Sequence, residues 1–210
     1  DISALHALSL RAGVISLHAP MAKHLTLLGA DDPCTRRLLS ILREGLPLRY
    51  DLPSHPLNRP GQATGRLVGG NLAVINGLAA TPFDPLSAAA GSFAAGQESE
   101  PIILFIEDIS EQIYAVERML IRMRLAGQLE SLAGLIVGQF TEYRPDRNHA
   151  DMETMISDLL AACGVTFPVA FNFPAGHVDY NLPLPLGAHA RLTVAVPSSS
   201  PSSVSLSFTP

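Results

Sequence analysis

Ile102-Ile103-Leu104-Phe105-Ile106 is an unbroken apolar run that passes directly into Glu107-Asp108. A strand with one wet face alternates apolar and polar residues, so a continuous apolar strand has to be covered on both faces. Helices packed against a sheet meet that demand. Across residues 111–125, Ile113, Val116, Leu120 and Met123 recur at three- and four-residue intervals, and Gly127 is placed to end the helix they imply. Residues 132–140 then read as another strand, residues 151–163 as a helix closing at Gly164, and residues 169–173 as a strand running into Pro174-Ala175-Gly176-His177. This alternation predicts the α/β class.

The flanking regions are less regular. Asp1 is placed to cap a helix reaching Arg11, with Leu5 and Leu8 on one face and Gly13 at its end. Val14-Ile15-Ser16-Leu17 reads as a short buried strand, and Asp32-Pro33 opens a helix carrying Leu38, Leu39, Ile41 and Leu42 up to Gly45. Pro47, Pro53, Pro56 and Pro60 then crowd one short stretch. We therefore expect residues 1–46 to be a remnant of one α/β domain whose first strands are missing, residues 47–62 a linker, and residues 63–210 a second domain. In the latter, a strand from Gly65 runs into Gly69-Gly70-Asn71 and a helix through Leu78. Residues 84–100 are rich in small side chains and read as a flexible loop. Residues 190–196 and 204–208, separated by the serine-rich 198–203, read as a late β-hairpin.

Composition narrows the function classes. With 210 residues, 47% hydrophobic, the chain is able to bury a core, and a net charge of -5 without a Lys/Arg cluster offers no footprint for nucleic acid or an anionic membrane. The longest apolar stretches break before the ~18 residues of a membrane span. Cys34 and Cys163 are isolated from each other and from metal-ligand spacing, so neither a disulfide framework nor a metal or other cofactor is expected.

Three places are candidates for chemistry. Glu107 and Asp108 follow a buried strand, where open α/β sheets collect ligands, but a strand ending in surface carboxylates would look the same. His177, after Gly176, sits on a turn suited to a general base, and a loop histidine bonded to solvent or a carbonyl is the alternative. Gly69-Gly70-Asn71 brings amides together at a strand-to-helix turn, either for a ligand or with Asn71 as a helix cap. It lacks the spacing of a phosphate loop.

Taken in order, Asp1-Ile2-Ser3-Ala4-Leu5, His18-Ala19-Pro20-Met21, residues 65–82, residues 104–127 and residues 174–187, with Gly176-His177 and Asn181, resemble the LD-carboxypeptidases. That family includes muramoyltetrapeptide carboxypeptidases and microcin C immunity peptidases. The resemblance implies a partial Rossmann-like N-terminal nucleophile domain, an α/β C-terminal domain with a mixed sheet, and a Ser-Glu-His triad in which Glu107 orients His177 as base. It also implies peptide hydrolysis at a D-amino acid without metal, a muropeptide or other peptide substrate, a cytoplasmic setting and a homodimer. From the residues themselves, Gly70 and Asn71 are expected substrate-proximal residues, and His18, before Ala19-Pro20, is expected to be structural or substrate-proximal. The family's nucleophile precedes the block matching Asp1, and Ser3, Ser9, Ser16, Ser40 and Ser110 lie in no GxSxG-like elbow, Ser110 reading as a helix cap. We therefore expect this chain alone to be inactive. Two alternatives are hydrolysis of an aminoacyl nucleotide, disfavoured by the absence of Trp, and a non-catalytic muropeptide-binding module. Ala19 stands where relatives usually have glycine.

Overall fold

The computed structural model describes residues 1–46, 48–87, 100–196 and 204–209. In chain order these build α1 (Ile2–Arg11), β1 (Ser16–His18), α2 (Ala22–Leu28), α3 (Pro33–Glu44), β2 (Leu48–Leu52), β3 (Gly61–Asn71) and α4 (Leu72–Gly77). There follow β4 (Ile102–Ile109), α5 (Ile113–Leu125), β5 (Leu132–Thr141), α6 (Met152–Ala162), β6 (Val169–Ala170), β7 (Leu184–Leu186), β8 (His189–Val194) and β9 (Val204–Phe208). Seven strands form one mixed sheet in the order β2-β9-β8-β3-β4-β5-β6, parallel from β3 to β6 and antiparallel from β3 to β2. A small separate ladder pairs β1 with β7 antiparallel.

The central strand β4 behaves as its apolar run demands. Leu104 and Ile106 face a core built with Leu72 and Ile75 of α4, Val116 and Leu120 of α5, and Met155 and Ile156 of α6. Ile103 and Phe105 face the opposite core, shared with Cys34 and Ile41 of α3, with Leu184 and Leu186 of β7, and with Leu192 and Leu206. Successive side chains of a strand point to opposite faces, so one strand nucleates both layers. β3 lies tightly against it: a Cβ on Gly69 would fall 1.9 Å from the Phe105 carbonyl oxygen. No other residue type fits there.

Helix boundaries follow the capping signals. Asp1, Asp32, Asn71 and Asp151 each accept a backbone N–H from two or three residues ahead, at the starts of α1, α3, α4 and α6. Pro33 occupies the first turn of α3 and Gly45 ends it. Among the described residues no helix is long and apolar enough to cross a membrane.

Several expectations need correction. α1 turns Ser3, His6, Ala7 and Leu10 inward, whereas Leu5 and Leu8 are exposed. The strand expected at Val14 starts at Ser16, and Val14 and Ile15 are exposed. The expected linker, residues 47–62, holds β2 and the first residues of β3, since Leu48 and Tyr50 alternate inward against β9 between the prolines. Ser110 does not cap α5. It has φ 63 and donates to Glu142, and Gln112 precedes the helix without a side-chain cap. α2 and β7 were not foreseen. The loop expected at residues 84–100 lies mostly, and the one at 198–203 wholly, outside the described residues.

Candidate active site

Glu107 and Asp108 are neighbours on β4 and project to opposite faces of the sheet. Neither is a surface residue: Glu107 is 1% exposed and Asp108 2%. What each meets decides what it can do.

The surroundings of Glu107 begin with a β-bulge. Ile106 pairs with Val137 and Asp108 with Phe140, so two residues of β5, Gly138 and Gln139, stand opposite the single Glu107. The bulge frees the Gln139 backbone to bridge Gly176, and its N–H donates to the Ala175 carbonyl at 2.9 Å. That bridge draws residues 175–177 against the strand. Gly176 fits because it lacks a side chain: a Cβ there would sit 3.0 Å from Glu107 Oε2 and 3.1 Å from the Gln139 carbonyl oxygen, at a φ of +138°. The buried Asn181 accepts the Gly176 N–H at 3.1 Å and closes the turn.

His177 emerges from this turn with Nδ1 2.7 Å from Glu107 Oε2. Its side chain remains 42% exposed while the carboxylate partner is buried. The pair therefore has a closed side and an open side. With Nδ1 engaged by the acid, Nε2 is directed away from it, and no hydrogen bond occupies Nε2 among the described residues. A buried carboxylate oriented on an exposed imidazole has the geometry that the acid–base portion of a nucleophilic triad requires.

Asp108 makes a different set of contacts. It accepts the Asn71 side-chain amide at 2.6 Å, the Ala73 N–H at 2.9 Å and the Ile109 N–H at 2.9 Å. Burial pushes its carboxyl above the ordinary range and the three donors oppose that rise. Asn71 Oδ1 meanwhile accepts the Val74 N–H, so both ends of this amide are engaged within the protein. Gly70 packs on Ser3, whose Oγ accepts the Asn71 backbone N–H at 3.0 Å. The cap reading of Asn71 describes this geometry.

His18 lies behind Glu107. It is 8% exposed, its Nε2 is 3.8 Å from Glu107 Oε1, and its ring stands edge-on to Phe105. Next to it, His6 hydrogen-bonds Ser16 Oγ through Nδ1, and burial together with His18 lowers its pKa to about 4. Sequence reasoning missed His6, Gln139 and the positioning role of Asn181. Only the glycine before His177 signalled a close approach.

No serine hydroxyl bonds to His177 among the described residues: those of Ser3, Ser16, Ser40 and Ser110 meet Asn71, His6, Glu44 and Glu142. Nor is any group of three His, Cys, Asp or Glu side chains among them arranged to hold a metal ion.

With that geometry in place, residues 64–192, more than half of the chain and including both Glu107 and His177, match the LD-carboxypeptidase C-terminal domain. The chain belongs to the LD-carboxypeptidase family. A probable murein peptide carboxypeptidase of Bacillus subtilis (strain 168) is 31% identical to this LD-carboxypeptidase family member over 202 residues, spanning 93% of this chain and 58% of that protein. A murein tetrapeptide carboxypeptidase of Pseudomonas aeruginosa is 29% identical over 198 residues, spanning 91% of this chain and 60% of its own length. The chain thus spans less than two thirds of these curated relatives. Among solved structures, a muramoyltetrapeptide carboxypeptidase from Oxalobacter formigenes matches all of the chain and 67% of its own at 26% identity, with a TM-score of 0.79. MccF, solved in complex with glutamyl sulfamoyl guanosine, matches 99% of the chain and 65% of its own at 20% identity and a TM-score of 0.70, a likeness of fold.

Proposed function

We propose that this chain supplies the acid and base of a serine LD-carboxypeptidase that releases the terminal D-alanine from muropeptide tetrapeptides. The observation that carries the reading is the 2.7 Å contact between buried Glu107 and exposed His177. Glu107 holds the imidazole with Nδ1 protonated and Nε2 open. As a serine oxygen attacks the scissile carbonyl, Nε2 takes the hydroxyl proton, and the ionised Glu107 stabilises the imidazolium formed. The same proton then goes to the departing amine of the D-amino acid, leaving an acyl-enzyme. Water, deprotonated by the same nitrogen, attacks the acyl carbon, and that proton passes to the serine oxygen as the shortened peptide leaves. Acid–base assistance of this kind contributes roughly 10²- to 10⁴-fold.

The nucleophile and the oxyanion hole belong, in this proposal, to sequence that the 210 residues do not contain, so the chain alone is inactive. The relatives' greater length supports this, as do the other partners of the serine hydroxyls described above. A cytoplasmic site and a homodimer are part of the same proposal. D-Alanine release from a murein tetrapeptide tests it, comparing the chain with a fusion to the upstream portion of the Bacillus subtilis relative, with cooperative unfolding as the folding control. The fusion is expected to turn over, and the chain alone and a His177→Ala fusion are not. Turnover by the chain alone at the fusion's rate, or by the folded His177→Ala fusion, refutes the proposal.

A further inference from the structure

The contact with His177 uses one oxygen of Glu107, and the other faces a second imidazole. Oε1 lies 3.8 Å from His18 Nε2. Three features seat that ring. The β1–β7 ladder sets His18 opposite Leu184. The ring packs edge-on against Phe105, with centroids 5.1 Å apart and planes at 73°. Phe105 and Glu107, two residues apart on β4, share the face on which His18 lies.

A histidine kept only for packing is a poor choice for this place. Its Nδ1 is buried with no hydrogen-bond partner among the described residues. An unpaired buried polar group is unfavourable, and an apolar ring would pack on Phe105 without one. The imidazole offers what such a ring lacks, a nitrogen facing a carboxylate, Nε2 at 3.8 Å from Glu107 Oε1. His6, whose ring centroid is 6.0 Å from that of His18, has its pKa lowered to about 4 and stays neutral near pH 7.

We propose that His18 is a positioning residue: its Nε2–H holds Glu107 Oε1 and thereby fixes the carboxylate plane that presents Oε2 to His177. This rests on the reading of Glu107 and His177 as acid and base. His18 touches no substrate in this arrangement. It acts through the acid, in a hydrogen bond that the 3.8 Å separation must shorten to form.

The test uses two variants and two readouts. His18→Phe keeps the edge packing and removes the N–H, whereas His18→Gln places an amide N–H near the position of Nε2. In the 210-residue chain labelled with ¹⁵N-histidine, the Nδ1–H resonance of His177 is expected to move or broaden in His18→Phe and to return in His18→Gln. In the fusion, kcat is expected to fall about tenfold for His18→Phe with KM retained, and to recover in large part for His18→Gln. An unchanged resonance and kcat in a His18→Phe protein that unfolds at the parental midpoint overturns the inference. Should His18→Phe fail to fold, a folded His18→Gln with a displaced resonance and the same loss of kcat overturns it instead. Activity lost in Glu107→Gln but kept in His18→Phe sinks this inference alone, whereas activity kept in Glu107→Gln sinks the acid–base reading beneath it.

Discussion

Glu107 and Asp108 are adjacent carboxylates on one strand, both buried, and they meet opposite surroundings. Asp108 is saturated by three donors, two of them backbone N–H groups, and it ties β4 to the start of α4. Glu107 meets one imidazole that reaches solvent and a second that backs it. Under the proposed function, burial is thus no guide to which carboxylate is chemical. The useful distinction is whether the partner is exposed and keeps a nitrogen with no hydrogen bond among the described residues, as His177 does.

That contrast breaks first at Asp108. Asp108→Ala strands the Asn71 amide and the Ala73 and Ile109 N–H groups, and is expected to lower unfolding stability by about 3 kcal/mol, read from urea denaturation. A loss below about 0.5 kcal/mol would mean that the network is ornamental. Asn71→Ala removes the cap of α4 and one Asp108 donor, with an expected loss of about 1–2 kcal/mol and no effect on the His177 resonance. Gly176→Ala sharpens the other side: its Cβ presses on Glu107 Oε2, so the His177 contact should lengthen and turnover of the fusion fall by about tenfold or more, with a smaller effect on stability.

The smallest effect concerns pH. His6 has a folded pKa of about 4, below its ordinary value of 6.5, so between these values the unfolded chain binds more protons than the folded one. Its contribution is fully present above about pH 6.5 and is progressively lost as pH falls to about 4, amounting to about 1–2 kcal/mol after allowance for screening. His6→Gln should flatten stability across that window. A slope identical to the parent's would place the proton uptake elsewhere.

The sequence shows some of these features and hides others for physical reasons. β4 and α5 were legible because burial on two faces, or on one stripe, leaves a local periodic mark. β2 was hidden among prolines because an edge strand needs only Leu48 and Tyr50 inward, and its partner β9 lies more than 150 residues away. β1 left the apolar run at residues 14–17 but not its bounds, and β7, three residues long, exists through its pairing with β1 and leaves almost no local pattern. In α1 the helix was legible, but its buried face was not, since Ser3 and His6 point inward toward partners that only the fold supplies. At the site, strand position marked Glu107 and Asp108 alike, and the family resemblance selected Glu107 before the contact with His177 could be seen. The bulge at Gly138 and Gln139, which sets the His177 turn, has no signal beyond a glycine. His18 read as either structural or substrate-proximal, and no local pattern shows that it packs on Phe105 with Nε2 3.8 Å from Glu107 Oε1.

The most direct measurement pairs the two carboxylates in the fusion: kcat for D-alanine release and the unfolding midpoint, each for Glu107→Gln and Asp108→Asn. Glu107→Gln should lose about 10²- to 10⁴-fold in kcat at an unchanged midpoint, and Asp108→Asn should lose stability while each folded molecule keeps its kcat. Equal losses of kcat from both, or a Glu107→Gln protein as active as its parent, would contradict the division of labour along β4.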